Sequence, residues 1–494
     1  MTAPVTTNVL LMSSYPILNR QWLETFLGFQ GFEEVNPIIV RDGDDISPKE
    51  GMLNIIMVSL QDAKQEKDED AGAWSKKKFA TIQNIRFFAV VIDEIHLGVE
   101  TDKTNAMLKL VKYDHLFGLS ATPGRNLSYG RFSLDNCHIW DLVDEMKKKR
   151  SGDPAYQRYE QIHFIGMRLN ENIRSTVSGY SADEGFTFKK FLSVDESGRF
   201  EYEAGVESAI RMLFGLGEFT KSKHSITKHG CKGVLITVEE SKCVKALQAK
   251  LEKMVGKKYD VFWTTSAEND VETLYGKVHN NWVPGKTDGA KGTIVIVVDQ
   301  LKTGVTLPWC DAVVVLNDGK SPSEWIQTAF RCQSPRSKMN PDGTPNDRFG
   351  AGVFVFDLDV NRVLMCQHRM TELRQATKGG TYAEVIREVI DCCPLYICED
   401  GITFEEISAE RFIELKNKMD YTGYADTMFG STLMGMLINE DDVALIKSLN
   451  IDGSGVKTVK GGMDDGANTE FADKGKNENI TIKGKGKGAK GKKS

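Results

Sequence analysis

The feature that most constrains this chain is a series of short apolar runs, each followed by a stretch long enough for a helix. In the first third they read NVLLMS (from Asn8), NIIMVS (from Asn54), FFAVVID (from Phe87) and LFGLSAT (from Leu116). Further on come GVLITV (from Gly233), YDVFWT (from Tyr259), TIVIVV (from Thr293), AVVVLN (from Ala312) and GVFVFD (from Gly352). Unbroken rather than alternating hydrophobicity belongs to strands buried on both faces, the condition of parallel sheets covered by helices. Amphipathic segments such as Ser241 to Val255 and Asp270 to Trp282 fill the gaps. The expected fold class is α/β, with two parallel sheets in tandem.

A chain of 494 residues is too long for one core and suits two or three domains. A seam is expected between Met146 and Ser181, where KKKRSGDP and its turn formers break the strand pattern. That gives a first lobe over 1–165 and a second over 166–365. After about Met365 the strand rhythm stops. Helix-like segments at 382–392, 407–419 and 441–449 predict a small, mostly helical C-terminal domain over 366–451. From Asp452 onward Gly, Lys, Asp and Asn dominate, so 452–494 is expected to be disordered.

Charge and cysteine use narrow the function classes. Removing the six lysines of the tail KGKGKGAKGKKS (483–494) from a net charge of −6 leaves the rest at −12. A body that acidic confines any nucleic-acid binding to a channel or to the tail. The tail reads equally as a loose polyanion holder or a solubility device. No apolar run reaches the length of a membrane span, and the N-terminus has neither the basic lead nor the cleavage site of a signal peptide. Nine scattered cysteines without a C-x2-C pair fit a reducing cytoplasm. His224, His229, Cys231 and Cys243 are too irregularly spaced for a zinc site and read as ordinary residues, and Cys392, Cys393 and Cys398 read as core thiols.

VVIDEIH (90–96) places Asp93 and Glu94 where a buried strand ends, the position at which open α/β sheets bind ligands. Two adjacent acids there suit nucleotide chemistry: Asp93 holding Mg²⁺, Glu94 orienting and deprotonating the attacking water. GLSATPGR follows, with Ser120 and Thr122 as hydroxyls beyond the next apolar run. Gln327 and Arg331 lie four apart and share a face if helical, so Arg331 could stabilise charge on a transferring phosphoryl group.

Taken together these segments resemble the DEAD/DEAH-box class of superfamily-two helicases, closest in pattern to phage and restriction-type DNA helicases. DEIH, with His96, resembles motif II, and SAT resembles motif III. LKTGVTLP (301–308) is similar to motif V and WIQTAFRCQSPR (325–336) to motif VI. VLLMSSYPILNRQW (9–22) and VSLQ (58–61) resemble the segments beside the nucleic-acid path. The resemblance implies two tandem RecA-like lobes using ATP and Mg²⁺ on nucleic acid, DNA by pattern, in the cytoplasm, a host's if phage-encoded. It implies Asp93, Glu94 and Arg331 as catalytic, and Gly304, Thr306, Gln327 and Arg336 as ATP-binding. It also implies Ser120, Thr122 and His96 as coupling residues and Pro16, Arg20 and Gln61 on the nucleic acid. The arginine finger is either Arg331 or Arg336, since position 334 is serine.

The pattern breaks at one point. The family's phosphate loop, G-x-x-x-x-G-K-[ST], does not occur in these residues. The Gly285-Lys286-Thr287 tripeptide lacks the earlier glycine, because position 280 is Asn, and it precedes a strand instead of following one. The first lobe is therefore read as N-terminally incomplete. Three explanations stand: a split helicase with a P-loop-bearing partner polypeptide, an incomplete record, or a non-hydrolysing nucleic-acid-binding or scaffold protein. The intact acids at 93 and 94 favour the first two.

Overall fold

The computed structural model describes residues 6–13, 16–28, 35–40, 46–60, 81–95, 108–121, 134–178, 186–265, 291–298, 306–319, 321–339 and 345–418, with positions 132, 278 and 343. These residues fall in two compact units that divide after Asn136.

The first unit is built on a wholly parallel five-stranded sheet. Its strands are β1 (Thr7–Ser13), β2 (Val35–Ile39), β3 (Leu53–Ser59), β4 (Arg86–Ile92) and β5 (Lys112–Gly118), in the spatial order β2-β3-β1-β4-β5. Helix α1 (Pro16–Gly28) begins on a proline, whose missing N–H costs nothing in a first turn. Its Trp22, Leu23 and Phe26 cover Leu11, Ile55 and Met57 on one face of the sheet. Leu10, Met12, Ile56, Val58, Val90 and Ile92 form the core on the other face.

The second unit carries an eight-stranded sheet in the order β13-β12-β6-β11-β10-β7-β9-β8, parallel except for β13. Its strands are β6 (Ile162–Met167), β7 (Gly233–Val238), β8 (Tyr259–Thr264), β9 (Gly292–Val297), β10 (Ala312–Leu316), β11 (Val353–Asp357), β12 (Leu395–Cys398) and β13 (Phe404–Glu406). Around it lie α2 (Leu142–Arg150), α3 (Glu171–Ser178), α4 (Glu203–Phe214), α5 (Val244–Val255), α6 (Pro322–Ala329), α7 (Val360–Lys378), α8 (Tyr382–Cys392) and α9 (Ala409–Lys418). Apolar cores fill both faces. Capping boxes start α2 at Asp141 and α8 at Thr381, satisfying orphan first-turn N–H groups.

A buried carboxylate ties this sheet together. Asp311 accepts from the backbone N–H groups of Lys232 and Gly233 at 2.7 and 2.8 Å, and from the guanidinium groups of Arg336 at 2.8 Å and Arg348. At Gly233 any side chain would collide, since a Cβ there would lie 1.7 Å from the Trp309 carbonyl oxygen.

The structure moves two boundaries expected from sequence. The division falls after Asn136 rather than at 165, because β6 and α2 belong to the second unit. His163 and Gly166 interrupt the apolar run of β6 and hide it in the seam. Residues 366–418 are not a helical domain apart: β12 pairs in parallel with β6 and extends the second sheet. Residues 419–494, with the helix expected at 441–449 and the Lys-Gly tail, lie outside the described residues.

His224 and His229 hydrogen-bond ring to ring at 3.1 Å, and His229 stacks on Phe354 with centroids 3.8 Å apart. Burial, then the neighbouring His224, pushes the imidazole of His163 down to about 4; burial does the same to His229. These rings stay neutral where an unfolded imidazole, near 6.5, would already hold a proton. The unfolded chain therefore binds protons first as pH falls, and these rings withdraw stability between about 6.5 and 4. Burial raises Glu145 to about 7, which acts in the opposite sense over part of that window. We expect His163→Gln to flatten the pH dependence of the urea midpoint between 6.5 and 4 relative to the parent chain. Equal slopes in the two proteins would contradict it.

Candidate functional site

The carboxyl ends of β1, β4 and β5 form the candidate site, and the backbone sets it. The ladder between β1 and β4 runs on past the strand, with Asp93 N–H donating to the Met12 carbonyl at 2.8 Å. On the other side Leu119 N–H donates to Ile92 at 2.8 Å, and Ile95 N–H to Leu119 at 2.9 Å. These bonds fasten the Asp93–Glu94 turn to the segment that carries Ser120. Gly118 permits the close approach, because a Cβ there would meet Ile95 at 2.5 Å.

Glu94 has φ of 51°, the one non-glycine residue at positive φ among the described residues. A left-handed backbone costs an L-residue about 1–2 kcal/mol, and such strain gathers at functional sites. Asp93 is held on both carboxylate oxygens: Oδ1 accepts from the Glu94 N–H at 3.0 Å and Oδ2 from the Trp22 indole N–H at 2.8 Å. Ser13 Oγ donates to Asn19 Oδ1 at 2.8 Å, tying the end of β1 to α1 and so fixing the helix that carries Trp22. Sequence reasoning missed both Asn19 and the indole donor. Trp22→Phe keeps the ring and removes the donor, and is expected to cost the first unit about 1–2 kcal/mol. Chemical denaturation measures that; no loss would mean the bond carries no stability.

Carboxylates and a hydroxyl are hard oxygen donors of the kind Mg²⁺ prefers, and Mg²⁺ commonly takes one or two carboxylates with water and phosphate oxygens completing its shell. Asp93 and Glu94 fit that pattern. Among the described residues no three His, Cys, Asp or Glu side chains form a protein-only metal cage.

In the second unit the structure separates the two arginines weighed for the finger. Arg336 is buried, bound to Asp311 and to the carbonyls of Cys310 and Arg348. It is a structural cation of the core, and its expected place on ATP is not what the structure gives it. Arg331 is half-buried just beyond α6, its Nε donating to the Gln327 carbonyl at 2.9 Å. Gln327 is itself buried. Ser334 Oγ accepts from Leu307 N–H at 2.9 Å and donates to the Arg331 carbonyl at 3.1 Å, joining the segment of Thr306 to that of Arg331. Trp325 donates to buried Asp357 at 2.7 Å and is a packing residue. His96, Thr122, Gly304 and Gln61 lie outside the described residues, as do the side chains of Pro16 and Arg20.

Residues 2–125 match the family model described as Type III restriction enzyme, res subunit. That segment contains the five-stranded sheet and the acids at its edge. No curated protein matches the chain. Among solved structures the chain is similar to S. cerevisiae Dbp5 bound to RNA and ADP BeF3, at 9% identity and TM-score 0.42, covering 84% of this chain and 81% of that one. It is similar to the ATP-dependent Type ISP restriction-modification enzyme LlaBIII bound to DNA, at 11% identity and TM-score 0.47, covering 90% of this chain and 30% of that one. A fragment of a putative HsdR subunit of a type I restriction enzyme from Vibrio vulnificus matches at 13% identity and TM-score 0.41, covering 81% of this chain and 59% of that one. These likenesses are remote, and the chain spans under a third of LlaBIII. No described helix is long and apolar enough to cross a membrane.

Proposed function

We propose that the chain is the two-lobed motor part of an ATP-dependent DNA translocase or helicase of superfamily-two type, a reading supported by the match of residues 2–125 to the Type III restriction enzyme res-subunit model. Its phosphate loop comes from a segment outside these 494 residues, in trans from a partner polypeptide or from the same chain. One observation carries the reading: Asp93 and Glu94 sit in a locked, strained turn at the carboxyl end of a central parallel strand, beside the Ser120 segment. Nothing in packing alone calls for two adjacent acids there.

In this reading Asp93, oriented by the Trp22 indole and the Glu94 N–H, would hold Mg²⁺. The metal would neutralise phosphate charge. Glu94 takes the proton of the attacking water and orients it. Arg331, with Gln327 beneath it, is the finger that meets charge on the γ-phosphoryl group. Ser120 relays the nucleotide state from the turn to the nucleic-acid path, in which Pro16, Arg20 and Gln61 take part. The lysine tail adds a salt-sensitive hold on polyanions. The missing G-x-x-x-x-G-K-[ST] keeps a second reading in view, a non-hydrolysing nucleic-acid-binding or scaffold protein. ATP turnover with single-stranded DNA and a P-loop polypeptide, beside Glu94→Gln, tests between them.

A further inference from the structure

A ladder of three aromatic rings runs from the core of the second unit out to solvent. Tyr159 packs against that core, Tyr156 is half-buried, and Trp140 is 43% exposed. Trp140 is the one tryptophan exposed among the described residues. Its ring meets Tyr156 with centroids 5.6 Å apart and planes tilted by 32°, and Tyr156 meets Tyr159 at 6.3 Å and 38°. The Arg158 guanidinium lies 5.3 Å from the centre of the Tyr159 ring. Residues 137–160 belong to none of the segments that carry the helicase resemblance.

The backbone beneath the rings is pinned. Arg374 donates to both carboxylate oxygens of Asp141 at 2.8 and 2.7 Å, and Lys378 donates to the Ile139 carbonyl at 2.9 Å, which ties the chain on either side of Trp140 to α7. Asp153 caps the turn Pro154–Tyr156 by accepting from the Ala155 N–H at 3.1 Å. Gln157 donates to the Lys149 carbonyl at 2.7 Å, joining that turn to the end of α2. A surface fixed before its ligand arrives loses little freedom on binding. The charge around it is positive, because α2 ends in Lys147-Lys148-Lys149-Arg150. Lys147 pairs with Glu388, and Lys149 faces buried Glu160. Lys148, Arg150 and Arg158 form no ion pair among the described residues, in a chain whose residues ahead of the lysine tail sum to −12. Glu145, beside Lys149 and Arg158, is half-buried, and burial lifts its carboxyl to about 7, so it offsets them only in part.

We propose that Trp140, Tyr156 and Arg158 form an accessory site for single-stranded nucleic acid, where bases stack on the rings while the cations of α2 and Arg158 hold the phosphates. The proposal goes beyond the motor reading and stands without it, since it needs neither a phosphate loop nor ATP. Charge and ring exposure select this occupant. Every base has a π-face, so an exposed indole backed by a second ring takes bases regardless of sequence, and a guanidinium over a ring adds a cation–π contact. Cations without carboxylate partners are free to neutralise phosphates. A single strand is required because only unstacked bases offer their faces to a side chain. A protein partner fits less well: Trp140 is the lone large apolar side chain exposed in 137–160, whereas the centre of a protein interface is apolar and poor in charge.

The probe is a fluorescein-labelled oligothymidylate of about twelve nucleotides, beside an abasic strand of equal length that keeps the phosphates and cannot stack. Anisotropy titrations of the full chain are run without ATP on the parent, Trp140→Ala, Trp140→Phe and Arg158→Gln, with denaturant midpoints to show that each variant folds. Trp140→Ala is expected to weaken oligothymidylate binding by about tenfold, and Trp140→Phe to keep most of the affinity. The abasic strand binds the parent and Trp140→Ala alike. Arg158→Gln lowers the salt slope of log affinity by about 0.7 on both strands. Strands carrying iodouracil cross-link under ultraviolet light to Trp140 or Tyr156. No binding by the parent, equal loss on both strands in Trp140→Ala, or cross-links that avoid 137–160 overturns the proposal. Unchanged oligothymidylate binding by Trp140→Ala overturns it as well and leaves the rings to a protein partner. Trp140-dependent binding in a chain that shows no ATP turnover upholds the site and sinks the motor reading, so the two fail separately.

Discussion

Asp311→Ala is expected to destabilise the second unit by about 3–5 kcal/mol, a large share of the stability of an ordinary domain. Asp311 is 4% exposed and is the shared anion of Arg336 and Arg348, which are 5% and 8% exposed. Removing it strands two guanidinium groups in the core and frees the N–H groups of Lys232 and Gly233 at the start of central β7. The loss is the desolvation of groups left unpaired, which exceeds the net worth of the ion pairs themselves. Arg336→Met is expected to cost less, because Asp311 keeps Arg348, and to act on stability first. Denaturant midpoints with hydrogen exchange at β7 and β10 measure both. A stable Arg336→Met chain with intact packing and lost nucleotide chemistry would return Arg336 to the finger role.

Much of the fold was legible because burial leaves a simple mark. Strands covered on both faces, such as β7 and β10, read as unbroken apolar runs and appear within a residue of their expected limits. Helix α8 matches its expected span, since its apolar stripe and its Thr381 capping box are both local signals. The strands that were missed or displaced are those whose sequence lacks an unbroken apolar run: in β6 the run is interrupted by His163 and Gly166. β5 begins four residues before its apolar run because Lys112 to His115 belong to an edge strand in contact with solvent. β2 is hidden by Pro37, tolerated only at an edge. β12 is four residues long, too short for its sequence to carry a rhythm of its own.

The candidate site divides the same way. Asp93, Glu94 and Ser120 could be named from their positions after apolar runs. The left-handed backbone of Glu94 could not, since no glycine or asparagine flags it. Nor could the Trp22 bond to Asp93, which spans 71 residues and exists only once α1 lies across the sheet. Arg336 was weighed as a finger because it stands in an arginine-bearing motif; its partner Asp311 lies 25 residues earlier, at the start of a strand that gave no hint of the pairing.

Glu94→Gln carries the second large effect. It preserves size and hydrogen-bonding shape and removes only the ability to take a proton, so fold stability should shift by under about 1 kcal/mol. Loss of a general base lowers turnover by about 10²–10⁴-fold, and loss of the finger in Arg331→Ala by about 10³–10⁵-fold. A drop of that size in a chain that still binds DNA would separate chemistry from grip.

The most direct measurement is ATP turnover by the full chain mixed with a P-loop-bearing polypeptide, with and without single-stranded DNA, in the parent and in Glu94→Gln. Turnover that needs both polypeptides, rises with DNA and vanishes in Glu94→Gln is the expected result. Equal turnover in Glu94→Gln, or DNA-stimulated turnover by the 494-residue chain alone, would contradict a motor that runs on Asp93 and Glu94 and borrows its phosphate loop.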